Sequence, residues 1–590
     1  MWFATHASRL VIAELRGYKE VLSRRLVCHF HRRTNWTVRG KASRFSERKQ
    51  SCMDFRNISA NLVIVWVALI LGLLSAVAIG SAVGGSDMRM VAAVFGISTL
   101  LIAFVKLKTT IWVLLPISWF LTGRLSFLPL PLTVRDMCFL VVIGFFTLFF
   151  ATRALPWKRK LNPLEYLIYI NIFYLISAYV RNPVGLFAFQ SELVGGRPYF
   201  EIALAFGAFA ILSRINPTSF IAKIFPLFFL IPAAVVSALD ITARLIPQLA
   251  YPISLAYGGV SGASVSGSVQ VETTVGETRI TSLKDVGQVG VLALVSKYRP
   301  LTLVSPLFPL RALMLVMCLT AIFAAGYRSV VLIASVYLVL STILRRSAQD
   351  VWTGVSLLFL GIVLLISLQG STLQLPLAMQ RALSWLPGDW DHEAVADAEG
   401  SSQWRFEMWE WAWNDERIMR DKVWGQGFGF TLDEMNIIAA SMMSGQQGNM
   451  FLGQSDRENF MITGTLHSGP LSTIKFIGVV GFILYFSLLV YMAVLGWRLC
   501  HRAHGTKAFS LALFVGIPII YEPIHFVAIF GALELSYVKT LFYAGLMNMA
   551  DNYLKTSTRD NPFASQTNPR LRTTIGPSRQ PGPAFIAQRI

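Results

Sequence analysis

Apolar residues along this 590-residue chain fall in long runs separated by short basic or long polar stretches. The runs lie at about 59–83, 90–105, 109–121, 133–152, 162–180, 199–213 and 220–240, then 311–326, 328–344 and 351–368, and finally 472–497, 508–527 and 530–550. A helix needs about 20 mainly apolar residues to cross the hydrocarbon core of a bilayer, and most of these runs approach that length. Lys and Arg mark alternate connections: Lys106-Leu107-Lys108, the 153–160 loop, Arg214, Arg345-Arg346 and the 498–507 loop. Placing all of these on the cytoplasmic side fixes the direction of each run. It also requires one more crossing between 241 and 310, for which the weak run Val286–Val304, broken by Lys297, Arg299 and Pro300, is the candidate. An interrupted segment at membrane depth is tolerated only where protein or a cavity surrounds it.

The pattern predicts an all-α polytopic integral membrane protein of about 14 transmembrane helices with one large external loop domain and both ends inside. Its expected parts are a basic cytoplasmic tail (1–58), a membrane domain (59–368) with an outer loop at 241–285, the external domain (369–471), C-terminal membrane helices (472–550) and a disordered cytoplasmic tail (551–590). The Gly, Ser and Thr-rich outer loop reads as irregular or as one short strand around 270–275. Residues 1–58 contain no continuous apolar core of the kind a cleaved leader needs, so none is expected.

Composition agrees with the membrane reading: 54% of residues are hydrophobic and 14% charged, with a mean hydropathy of +0.56. A formal charge of +20 would suit a nucleic-acid binder, but its Lys and Arg gather in tails and short loops, which is a topology signal. The stretch 369–471 carries 14 Asp/Glu against 6 Lys/Arg and is therefore acidic within a basic protein. The five cysteines stand in the basic tail, in a basic loop or in apolar runs, so no disulfide or thiolate metal site is expected. No Walker-type phosphate loop is present, and nothing points to ATP hydrolysis.

Candidate chemistry concentrates in the external stretch. Gln403–Lys422 lacks Gly and Pro and reads as an amphipathic helix with Trp404, Met408, Trp411 and Ile418 on one face. Arg405 and Trp409, four apart, are neighbours on its flank. Gly425, Gly427 and Gly429 permit a tight turn, and His467 precedes the next apolar run. A lone histidine there is more often structural than catalytic, and His525 with Glu522 is a rival of equal standing. Arg328 follows Gly326-Tyr327 where two runs meet outside, and Arg279 lies before the broken segment. Such arginines hold phosphate or simply snorkel to the interface. Asp389, Asp391, His392 and Glu393 are clustered but lack a recognised ligand spacing, so no metal is assigned.

Taken in order, Arg279, Gly326-Tyr327-Arg328, Arg405-x-x-x-Trp409, Gly425-x-Gly427-x-Gly429, and His467 before Gly478-Val-Val-Gly481 resemble the O-antigen ligase and O-antigen polymerase superfamily of bacterial envelope glycan assembly, over roughly 275–500. The sequence departs from that pattern in having Ser468-Gly469 after the histidine and Tyr327 before the arginine. The resemblance implies a GT-C-like membrane enzyme in the bacterial inner membrane with its active site on the periplasmic face. It also implies metal-independent, cofactor-free, inverting glycosyl transfer from an undecaprenyl diphosphate-linked glycan donor to a glycan or lipid-core acceptor. His467 would be the general base and Arg279, Arg328 and Arg405 the diphosphate ligands, while Trp409, Gly425, Gly427 and Gly429 would contact the acceptor or shape the loop. Lipopolysaccharide or exopolysaccharide synthesis is the implied process, with membrane lipids as surroundings. The competing reading is a transporter, such as a flippase of lipid-linked oligosaccharide. A structural protein without chemistry is a third, in which the arginines and His467 would not converge.

Overall fold

The computed structural model describes residues 110–125, 132–151, 161–185, 195–258, 280–346, 348–369, 375–430, 434, 460–464, 466–529 and 531–559. Among these residues every regular element is helical, and Arg124 and Thr133 form an isolated antiparallel bridge. The apolar runs at 59–83 and 90–105, both tails and the possible strand around 270–275 lie outside the described residues.

In chain order the main helices are α1 (Val134–Ala151), α2 (Pro163–Arg181), α3 (Arg197–Leu212), α4 (Leu227–Leu245), α5 (Leu283–Lys297), α6 (Pro309–Ala324), α7 (Arg328–Leu344), α8 (Ala348–Leu368), α9 (Leu377–Leu383), α10 (His392–Asn414), α11 (Gly469–Ala503), α12 (Phe509–Ile524) and α13 (Leu533–Arg559). Five described helices are long and apolar enough to cross a membrane: α1, α2, α4, α11, and α12 with the π turn His525–Ile529 that continues it. Ile111–Phe120, α6 and α7 are apolar but shorter. Local chemistry sets the ends: α2 opens on a capping box in which Asn162 and Glu165 satisfy each other's backbone N–H, with Pro163 at the first helical position.

The interrupted segment is resolved as α5 followed by the short helix Pro300–Val304, with Arg299 extended between them. Pro300 disfavours helical geometry in the residue before it, which accounts for the break. The freed carbonyls at the end of α5 are taken up by Arg345, whose Nη2 donates to Val295 and Ser296 at 2.8 and 3.0 Å. The first part of the 241–285 stretch, expected to be irregular or to carry one short strand, is instead helical: α4 runs on to Leu245 and Pro247–Ala256 forms a further helix. Pro247 at the first helical position starts this second helix where it could not continue the first.

The two ends of the bundle differ. At one end Arg345 lies over Phe509, its carbonyl meets His504 Nε2 at 3.1 Å, and Arg502 pairs with Asp551 at 2.9 Å. At the other end α7 begins at Arg328, whose Nη2 donates to the Ala398 carbonyl of α10 at 2.9 Å. The polar segment 375–430 therefore meets the bundle at the end opposite Arg345 and the 498–507 loop. A small core joins its Met408, Ala412, Ile418 and Met419 to Met461, Ile462 and Leu466 from just before α11.

Helix α11 links this segment to the bundle. Its 35 residues would measure about 52 Å if continuous, against a hydrocarbon core of about 30 Å. It is broken at Gly478, where φ is +72°. The groups freed by the break are bonded by the polar segment: Gln426 N–H donates to the Lys475 carbonyl and Gly427 N–H to that of Phe476, at 3.0 and 2.9 Å, while Val479 and Val480 N–H donate to Lys422 and Val423. Tyr174 on α2 donates to the Ile477 carbonyl at 2.9 Å. Irregular backbone near a membrane persists when other parts of the protein take up its polar groups, and these bonds do so.

Candidate functional site

Helix α10 begins eleven residues before the expected start at Gln403 and ends before Asp415, short of Lys422. Asp391 starts it by accepting from the Glu393 N–H at 2.9 Å. Asp415 ends it in extended geometry, and Arg417 lies against its carboxylate at 2.7 Å. Asp391 is thus a helix cap, and among the described residues no three metal-binding side chains cluster.

Arg405 and Trp409 lie one turn apart on α10. The Trp409 indole N–H donates to the carbonyl of Leu466, a fully buried residue, at 2.6 Å. His467 follows in left-handed backbone, φ +51°, which a residue with a Cβ adopts at a cost. On its other side Gly469 is packed so closely against Phe526 that a Cβ there would lie 2.3 Å from the Phe526 carbonyl oxygen. The chain is therefore pinned on both sides of the histidine. The imidazole sits beside Trp404 and Phe460, with ring centroids 6.3 and 5.9 Å away.

Three cationic or basic side chains meet here. Burial, and then the charge of Arg405, push the His467 imidazole down to about 4. Burial, and then the neighbouring Arg328, lower Arg405 in turn. His467 is consequently neutral at pH 7 beside Arg405, which has Arg328 as a neighbour of like charge. Guanidinium groups brought near each other from two separate elements, the start of α7 and the middle of α10, suit a polyanion.

Arg279 lies outside the described residues. Its neighbour Ile280 donates its N–H to the Ala324 carbonyl, at the turn leading into Arg328. His525 is placed elsewhere, on the π turn beside Glu522 (3.9 Å), which itself pairs with Lys539 at 2.5 Å. The described contacts bring together Arg328, Arg405 and His467 and leave His525 in that separate ion cluster.

The glycine turn meets the helix break rather than the imidazole. A Cβ on Gly425 (φ +80°) would fall 2.5 Å from the backbone of Ile477 and Gly478, and one on Gly478 would fall 2.1 Å from the Val423 carbonyl oxygen. Only glycine allows two main chains to cross this closely. Phe428 then fills a pocket between Tyr199 and Phe476, with ring centroids 5.0 and 4.5 Å away. Gly429 follows against Val184.

Sequence reasoning missed Phe460, which lies apart from α10 in the chain, and Lys475. Buried Lys475 donates to the Met461 carbonyl and, at 2.6 Å, to that of Ile462, fastening the turn that carries Phe460. A lone lysine at the head of an apolar run was the available signal, because such a charge is expensive unless the fold gives it acceptors.

Residues 313–486 match a family model described as O-antigen ligase, so over this stretch the resemblance to the O-antigen ligase superfamily holds. The matched stretch contains Arg328, Arg405, Trp409, the glycine turn and His467, and it excludes Arg279. No curated protein matches the chain.

Proposed function

We propose that this protein is a membrane glycosyltransferase of the O-antigen ligase type, acting on a glycan carried by undecaprenyl diphosphate at the outer, periplasmic face of the bacterial inner membrane. The observation that carries the reading is the meeting of Arg328, Arg405 and a neutral His467 where the polar segment joins the bundle. The family match supports the same class.

In this reaction the acceptor hydroxyl oxygen bonds to the anomeric carbon while the bond from that carbon to the diphosphate oxygen breaks. The electron pair leaves with undecaprenyl diphosphate, and the hydroxyl proton passes to the His467 imidazole. Direct attack inverts the anomeric centre. The departing diphosphate gains negative charge, which Arg328 and Arg405 stabilise with planar donor pairs, and the sequence resemblance assigns Arg279 the same role. This chemistry needs neither metal nor cofactor. An imidazole depressed to about 4 in the free protein is a weak base, but a bound diphosphate beside it opposes the arginine charges and raises its proton affinity. The Trp-rich polar segment suits a long sugar acceptor, which favours polymerisation or exopolysaccharide transfer over ligation to a lipid core.

The test is transfer in proteoliposomes supplied with a lipid-linked oligosaccharide and an acceptor glycan. His467→Ala is expected to abolish transfer while donor binding persists. Full activity in that variant would remove His467 from the mechanism and turn attention to His525.

A further inference from the structure

The ion cluster at the end of α12 has no part in the reaction proposed above, yet it adjoins the chain that carries His467. Pro523 lacks an N–H and loosens the end of α12, and the chain widens there into the π turn His525–Ile529. Such turns recur at functional sites. Buried Glu522, in the last turn of α12, faces a partner with each carboxylate oxygen: Lys539 Nζ of α13 lies 2.5 Å from one, and His525 Nδ1 lies 3.9 Å from the other. One carboxylate therefore ties the end of α12, the π turn and α13 together.

The π turn touches the histidine-bearing chain directly. Fully buried Phe526 packs edge-on against Tyr485 of α11, with ring centroids 5.2 Å apart, and its carbonyl oxygen abuts Gly469, two residues after His467. A Cβ on Gly531 would fall 2.5 Å from the Gly469 Cα. The Leu533 N–H, at the head of α13, donates to Ser472 Oγ at 3.1 Å. Ser472 N–H in turn donates to the Ser468 carbonyl at 3.0 Å. The stretch that follows His467 is thus seated on Phe526, Gly531 and Leu533, and Glu522 and Lys539 bracket that seat in the chain and join its two ends in space.

We propose that Glu522 and Lys539 are positioning residues: their ion pair fixes the π turn and the head of α13, and through Phe526, Gly531 and Leu533 it holds the backbone of His467 and thereby sets the rate of transfer. Apolar side chains of similar size would hold the two helices together about as well. An ion pair also fixes their distance and direction, and charged side chains within a membrane bundle mark function. The rate effect rests on the assignment of His467 as the base, whereas the clamp on its backbone does not.

The test compares the wild type with Glu522→Gln/Lys539→Met, a neutral pair of similar shape that leaves no lone buried charge. Amide hydrogen exchange in nanodiscs, followed by mass spectrometry, reports the turn without any transfer reaction. The double variant is expected to melt near the wild-type temperature and to exchange the 466–472 amides about tenfold faster, with those of 484–500 unchanged. In proteoliposomes it is expected to lose about tenfold in kcat, as a shift of less than 1 Å at a reacting group would cause, with donor KM within about twofold. Lys539→Arg, which keeps the cation, should recover most of both. Wild-type exchange at 466–472, equally faster exchange throughout α11, or wild-type kcat despite faster exchange at the turn would each overturn the assignment. Faster exchange confined to 466–472 in protein whose wild type transfers no glycan would uphold the clamp and overturn the reaction proposed above.

Discussion

Replacing Trp409 with Phe tests whether the geometry around His467 sets the rate. The substitution keeps an aromatic ring but deletes the indole N–H that donates to the Leu466 carbonyl at 2.6 Å. That carbonyl belongs to a fully buried residue, and leaving it unsatisfied costs about 1–3 kcal/mol. The left-handed backbone of His467 stores about 1–2 kcal/mol. The lost bond is thus comparable to the strain it helps hold, and without it the histidine can relax toward ordinary geometry. A displacement of about 1 Å at a reacting group costs on the order of 100-fold. Trp409→Phe is therefore expected to lower kcat by about 10- to 100-fold, with donor KM changed by less than about twofold. The assay is product formation in proteoliposomes over a range of donor concentrations. Wild-type kcat or a pure rise in KM would refute the reasoning.

Gly478→Ala places a Cβ 2.1 Å from the Val423 carbonyl oxygen at a φ of +72°, so a loss of about 3 kcal/mol or more in stability is expected. Thermal unfolding in nanodiscs would reveal it, and an unchanged melting temperature would show that the two chains do not cross as described. The acid limb of kcat/KM is expected near pH 4 rather than 6.5, because burial and Arg405 hold free His467 at about 4; a limb at 6.5 or above would name another group. Stability linked to the same histidine is full above its unfolded value of about 6.5 and is lost as pH falls toward 4, since the unfolded chain takes up the proton first. Arg328→Lys keeps the charge but loses the planar fork, so donor turnover should drop by about tenfold or more; wild-type kinetics would mean that Arg328 acts only as a point charge.

The helices among the described residues were legible because lipid imposes a simple rule, that apolar runs become helices. The interruption at Pro300 was readable for the same reason, since proline and two charges cannot be hidden from a pattern that expects neither. The site was less legible. Arg328 and Arg405 are 77 positions apart, and nothing local in either says that α10 would lie across the start of α7. The purpose of the three glycines was equally hidden, because a glycine reports that something passes close without saying what. Here Gly425 and Gly427 meet α11 some 50 residues later, a pairing that only tertiary structure reveals.

The crossing at Gly478 also bears on how the protein is made. Residues 422–427 leave the ribosome before 475–480, yet each segment supplies the main-chain partners of the other. The polar segment cannot finish folding until the head of α11 has emerged, and the head of α11 lacks its main-chain partners until that segment is in place. Folding of the segment and settling of the helix are thereby tied into one event, so a variant that weakens the crossing should be recognised by quality-control proteases during synthesis.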